Sequence, residues 1–187
     1  MTARLLLVRH GPSAHTHDGR WMGRHDVPRF EDAYDSAGIR DDSSPSEHLR
    51  SIAATADVVC ASDLRRAIES ANRVAPGRAL VISSLLREIR LEPPRWMPFR
   101  LPIAAWDAYS HAQWSYRLLA KRDHAFVRRA DAAADWLEQH ARDAATVLVV
   151  THAGVRRLIA DRLSARGWLR APEKRSYANW STWELHG

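Results

Sequence analysis

Cysteine is nearly absent from this chain. Cys60 stands alone among 187 residues, so no internal disulfide can form, which fits a reducing compartment. No apolar stretch approaches the length of a membrane span. The first apolar run is too short for a signal-peptide core and is followed at once by Arg9 and His10. These absences lead to the expectation of a cytoplasmic protein without a membrane partner. No internal repeat and no linker divides the chain, and its length suits one domain, 1–187. Acidic residues are only modestly outnumbered, 22 against 28 Lys and Arg, for a formal charge of +6. That excess suits an anionic metabolite as well as a nucleic acid. No basic run with interleaved aromatics resembles a nucleic-acid module, so no nucleic-acid partner is expected.

Short apolar runs are present, and each has a distinctive exit. Leu5 to Val8 breaks into Arg9-His10-Gly11, and Val147 to Val150 breaks into Thr151-His152-Ala153-Gly154. Both read as buried strands, residues 4–8 and 146–151. In open α/β sheets, ligands gather beyond the carboxyl ends of strands. Two such ends bring His10 and His152 together beside Arg9. Paired imidazoles next to a guanidinium suit a phosphoryl group, which one ring can attack and the planar fork can hold.

Between these ends the pattern alternates. Residues 9–45 are polar and read as an irregular surface segment, functional or containing short helices. Helical spacing follows over 45–55, then a strand at 57–60. Ser62-Asp63 supplies capping chemistry for a helix whose inward stripe is Leu64, Ala67, Ile68 and Ala71, ended by Pro76-Gly77. Leu80 to Ile82 is another strand. Residues 92–117 form an insert with four prolines and the aromatics Trp96, Phe99, Trp106 and Trp114, irregular in its first half. A long helix spans about 123–142, with Phe126, Ala130, Ala133 and Leu137 on one face. After strand 146–151 a helix runs from Ala153 to Gly167, with Val155, Leu158, Ile159 and Leu163 inward. Residues 180–185 alternate as a last strand. Strands alternating with helices imply a three-layer α/β/α sandwich with a mostly parallel sheet. Cys60 reads as a small buried hydrophobe.

The ordered set of motifs resembles the histidine phosphatase superfamily in its phosphoglycerate-mutase-like branch. The matching pieces are Leu7-Val8-Arg9-His10-Gly11, then Gly19-Arg20-Trp21-Met22-Gly23-Arg24-His25-Asp26, then Ser62-Asp63-Leu64-Arg65-Arg66-Ala67. Leu86-Arg87-Glu88 and Thr151-His152-Ala153-Gly154 complete it. The resemblance implies His10 as a nucleophile that becomes phosphorylated, Glu88 as the proton donor, and His152 with Arg9 and Arg66 on the phosphoryl oxygens. It adds Thr16, Arg20, Gly23 and Ala153 as further substrate contacts. Helical spacing alone would leave Arg66 solvated, with Arg65 its rival. Neither a metal nor any other cofactor is implied, and His15, His17 and His25 read as a solvated or substrate-facing loop.

Three departures matter. Pro12 stands where the branch often has Glu, Thr16 stands where it often has Asn, and Ile89-Arg90-Leu91-Glu92-Pro93-Pro94 replaces its G-x-W-E-G continuation. The expected activity is a metal-independent phosphomonoester phosphatase acting on a small phosphorylated metabolite. The alternatives are a phosphoglycerate-mutase-type phosphotransferase, a protein phosphohistidine phosphatase and a phosphoryl-binding module without turnover. The oligomeric state is not legible. The aromatics of the 92–117 insert are expected either to wall the substrate or to pack in the core.

Overall fold

The computed structural model describes residues 3–15, 19, 21–90, 93–119, 125–172 and 176–187. These residues form six strands: β1 (Arg4–Arg9), β2 (Val58–Ser62), β3 (Leu80–Ser83), β4 (Thr146–Thr151), β5 (Leu169–Arg170) and β6 (Thr182–His186). They make one sheet in the order β3-β2-β4-β1-β6-β5. The pairs β1–β4, β2–β4 and β2–β3 are parallel, while β6 runs antiparallel to β1 and β5. The mostly parallel sheet is as the alternation implies. The two-residue β5 is an addition too short to leave a period in the sequence.

Among the described residues six α-helices accompany the sheet: α1 (Val27–Ser36), α2 (Glu47–Ala54), α3 (Arg65–Val74), α4 (Ile103–Leu119), α5 (Ala125–Asp143) and α6 (Ala153–Ala165). Side chains alternate across a strand, so β1 and β4 each feed both faces. Leu5, Leu7, Val147 and Val149 pack with Ala133, Leu137, Ile159 and Leu163 of α5 and α6. Leu6, Val8, Leu148 and Val150 pack with Leu49, Ala53, Ala67 and Ala71 of α2 and α3. Strands covered on both faces need continuous apolar runs, which is what these two show. Cys60 lies in the first of these cores, and burial pushes its thiol up to about 12.

The polar segment 9–45 contains a helix, one of the readings open to it: the ten-residue α1, started by Pro28 in its first turn. Two expectations for α3 need correction. Ser62 does not cap α3; Leu64 holds that place without a side-chain bond. The inward stripe of α3 is rotated from the one read by spacing. Arg66, Ala67, Ser70, Ala71 and Val74 are buried, while Ile68 is half-buried. The second half of the 92–117 insert, where the proline argument does not reach, is in α4.

Candidate active site

The ends of β1 and β4 lie side by side in register, Arg9 against Thr151. The next residue of each strand is a histidine, so the two rings meet with centroids 4.9 Å apart. Both are buried. His10 Nδ1 lies 2.6 Å from the Gly11 carbonyl oxygen. A carbonyl can only accept, so Nδ1 carries the hydrogen and Nε2 keeps its lone pair. Burial, with Arg66 beside it and Arg9 and Arg156 nearby, pushes the His10 imidazole down to about 3. It is therefore neutral at physiological pH.

His152 is fully buried, and burial likewise holds its imidazole well below the ordinary histidine range. Its Nε2 is 2.9 Å from Ser62 Oγ, which also accepts a long bond from the Leu64 N–H at 3.4 Å. The Ser62 hydroxyl has two lone pairs and one hydrogen, so it can accept from Nε2 or donate to it. Nδ1 has no hydrogen-bond partner among the described residues. A buried polar nitrogen without a partner is costly, and the site is where it would find one.

Arg66 is buried to 1 % exposure. The wheel argument that would solvate it fails because α1 closes over that face of α3. Its guanidinium lies 4.2 Å from the Tyr34 ring and donates to Tyr34 O at 2.9 Å and Asp35 Oδ1 at 3.1 Å. Arg65 is exposed and pairs with Glu69 at 2.7 Å, so of the two arginines only Arg66 reaches the site. The Nε atoms of Arg9 and Arg66 are buried without partners among the described residues.

Glu88 is pinned from behind. Thr151 Oγ1 donates to Leu86 O at 2.8 Å, and Arg129 donates to the carbonyls of Arg87 and Glu88. The Glu88 carboxylate accepts from Gly154 N at 3.0 Å, Val155 N at 2.9 Å and Ile89 N at 3.0 Å. It thus caps the start of α6, whose own N-cap His152 makes no capping bond. The amides of Gly154 and Val155 are consequently engaged by Glu88, and Ala153 lines the cleft beside them.

A segment that spacing does not reveal holds the nucleophile from the other side. Asn179 donates to His10 O at 2.8 Å, and Arg9 donates to Tyr177 O. Trp180 adopts a φ of 64°, a left-handed conformation that bulky residues rarely take. Its backbone N–H bonds Arg9 O at 3.1 Å and its indole N–H bonds Ser43 Oγ at 2.7 Å. A Cβ on Gly11 would overlap the Trp180 ring, which explains the glycine after His10. Arg156 anchors this segment. It is fully buried, stacks at 4.3 Å on Trp183, and donates to Ser176 O, Ser181 O and Ser181 Oγ. One signal for it existed: Arg156 precedes Ile159 by three and Leu163 by seven, so it lies on the inward stripe of α6.

Arg9, Arg66, Glu88, Ala153 and Gly154 line one end of a cleft of about 790 Å³. Not every residue implied by the resemblance lines it. His10 and His152 are buried and are not among the lining residues, though their chain neighbours Arg9 and Ala153 are. Gly23 is also absent from the lining, and its N–H donates to Asp26 Oδ2 at 2.9 Å. Thr16 and Arg20 lie outside the described residues, as does His17. Among the described residues no group of three or more His, Cys, Asp or Glu is placed to hold a metal; His15 packs 5.1 Å from the Phe30 ring. Among the described side chains, no aromatic of the 92–117 insert walls the cleft. Trp106 is buried with Met22 and Val27, while Trp96 and Phe99 are 74 % and 66 % exposed and do not line the cleft. The side chain of Trp114 lies outside the described set.

An α/β/α sandwich that sets two neutral histidines and two arginines at the carboxyl end of its sheet is arranged to hold a phosphoryl group. The chain belongs to the histidine phosphatase superfamily (branch 1), whose sequence profile matches residues 5–186. That membership supports a phosphatase enzyme. Among solved structures it is similar to a mycobacterial glucosyl-3-phosphoglycerate phosphatase (18% identity, 100% of this chain and 91% of that one, TM-score 0.59). It is also similar to an α-ribazole phosphatase from Shigella flexneri (22% identity, 86% and 79%, TM-score 0.54). A third is a phosphoserine phosphatase from Entamoeba histolytica (15% identity, 87% and 80%, TM-score 0.54). At these identities the likeness establishes the fold. No curated protein sequence matches the chain. Among the described residues no helix is long and apolar enough to cross a membrane.

Proposed function

We propose that this protein is a phosphomonoester phosphatase that works without a metal, through a phosphohistidine on His10. The observation that carries this reading is the His10 tautomer. Nδ1 is committed to the Gly11 carbonyl, so the Nε2 lone pair is the nucleophile, and burial keeps it unprotonated. Arg9 and Arg66 supply fixed positive charge for the phosphoryl oxygens, and His152, in the tautomer with its hydrogen on Nδ1, supplies a further donor. Phosphoryl transfer asks little of the protein beyond such positioning and charge stabilisation.

The steps balance as follows. His10 Nε2 forms a bond to phosphorus as the ester P–O bond breaks, and the departing oxygen takes a proton from Glu88. Water then attacks the phosphohistidine, its proton passes to Glu88, and the N–P bond breaks to release phosphate. Glu88 Oε1 accepts two amides and Oε2 accepts one, which leaves a lone-pair site on Oε2 to carry that proton. The substrate is a small phosphorylated metabolite. His10 at 2 % exposure is poorly placed for a phosphohistidine on another protein's surface.

Substrate labelled in its phosphate should leave an acid-labile, base-stable label on the enzyme, and His10→Ala should abolish label and turnover together. Label that survives in His10→Ala would remove the assignment, and so would activity that chelation abolishes and a divalent ion restores.

A further inference from the structure

The phosphate seat occupies one end of the cleft, and the rest has a definite character. At about 790 Å³ it falls in the roughly 300–1,000 Å³ range of pockets that enclose drug-sized ligands, far more than phosphate needs. Tyr34 lies under the Arg66 guanidinium at 4.2 Å. One helical turn away on α1, the Phe30 ring is nearly parallel to it, 13° between planes and 6.2 Å between centroids. Both rings line the cleft, so an aromatic track leads away from the phosphate-binding arginine. Ile103 and Ala104 of α4 and Leu158 of α6 add apolar lining.

The charged groups of this lining leave little to hold a second negative charge. Asp35 is engaged with Arg66 at 3.1 Å. Arg90 is committed to Glu31 at 3.3 Å and Asp32 at 2.5 Å. Arg157 is half exposed and only 3.9 Å from Asp161, so its charge is largely screened by water.

We infer that the cleft binds the phosphate ester of an alcohol carrying a flat, largely apolar ring and no second anionic group. This rests on the phosphatase reading for the position of the phosphate. The ring would lie along Tyr34 and Phe30, where offset or edge contacts between aromatic rings are favourable. Small esters with a carboxylate, such as phosphoserine or phosphoglycerate, would leave the track empty and find only paired or water-screened cations for their second charge.

Matched probes test this without depending on turnover. Binding of 3-phenylpropylphosphonate, propylphosphonate and 3-carboxypropylphosphonate to the intact enzyme is measured by calorimetry. The phenyl compound should bind roughly 10- to 100-fold tighter than the propyl one, the scale for burying one ring. The carboxypropyl compound should bind most weakly. Ala104→Trp, at an exposed position on the wall, should bring the phenyl-to-propyl ratio toward one. Equal binding of the phenyl and propyl compounds, tightest binding of the carboxylate, or a ratio untouched by Ala104→Trp would overturn the inference. Hydrolysis of the matching phosphate esters is followed in parallel. A ring preference in binding with no hydrolysis and no label on His10 sinks the phosphatase reading alone. Hydrolysis without a ring preference sinks the cleft assignment alone.

Discussion

The chemical end of the cleft hangs from strands, and the opposite wall stands on helices. His10 and His152 each follow directly on an apolar strand, and the β1–β4 register sets them side by side. Phe30 and Tyr34 ride on α1, and Ile103, Ala104 and Asp107 on α4, two elements outside the two main cores. The strand-built end can change little, because shifting a strand by one residue turns every side chain to the other face. The helix-built wall can change residue by residue while the sheet stays as it is. Catalytic chemistry and substrate choice thus rest on separate parts of one fold.

The largest expected effect falls on the wall's support. Trp106→Ala empties a site where the indole is 1 % exposed and bonds Met22 O at 2.9 Å, and it should destabilise the protein by about 3–5 kcal/mol. Trp96→Ala should stay within about 0.5 kcal/mol. Chemical denaturation reads both, and similar losses for the two would show that the insert has no internal division.

Next in size, Arg66→Ala should cost about 2–4 kcal/mol in kcat/KM, the scale of a lost oxyanion donor. Arg65→Ala, one residue away and exposed, should cost almost nothing. Equal losses would mean that α3 presents a different face to the substrate.

Acid should then loosen the strand-built end. In unfolded chain a histidine titrates near 6.5, whereas His10 is held neutral down to about 3 and His152 is shifted in the same direction. Between those values the unfolded state binds more protons, so stability falls as pH drops from 6.5 toward 3. The slope is about 1.4 kcal/mol per pH unit for each neutral histidine. Denaturation midpoints at pH 7, 6, 5 and 4 should show it, and His10→Ala should lessen it by one histidine's share. An unchanged slope in that variant would place the proton uptake elsewhere.

The smallest effect tests the contact between the two halves. Asp35 holds Arg66 at 3.1 Å and competes with an incoming anion. Asp35→Asn should tighten inhibition by inorganic phosphate several-fold, on the order of 1 kcal/mol for a partly exposed pair. Weaker inhibition would show that Asp35 orients Arg66 instead of competing for it.

The same division governs what could be read from the sequence. β4 is formed at 146–151 as spacing predicts, and β1 runs one residue beyond 4–8 to include Arg9, because a strand buried on both faces must be written in apolar residues. The histidines after them were visible as the exits of those runs. Arg66 was harder. Its burial depends on α1, and polar residues 9–45 gave no period from which α1 could be placed. Tyr34 and Asp35 were missed for the same reason. Glu88 was legible as a candidate proton donor, but its capping of α6 was not, since that bond joins residues far apart in sequence. Glu88→Gln therefore removes more than a proton: an amide NH₂ would face a backbone N–H and cost the helix about 1 kcal/mol as well.

The place of β1 in the sheet has a consequence for how the protein is made. Of the six strands β1 is synthesised first, yet it sits between β4 and β6, which follow much later in the chain. The nucleophile therefore waits, with its flanking strand unpaired, until β4 and β6 have been synthesised. Pairings between distant segments close slowly, and an apolar strand without neighbours is prone to aggregate meanwhile. A nascent chain released before β4 has no route to a partly working site, so activity should appear all at once, when both neighbours of β1 have been made.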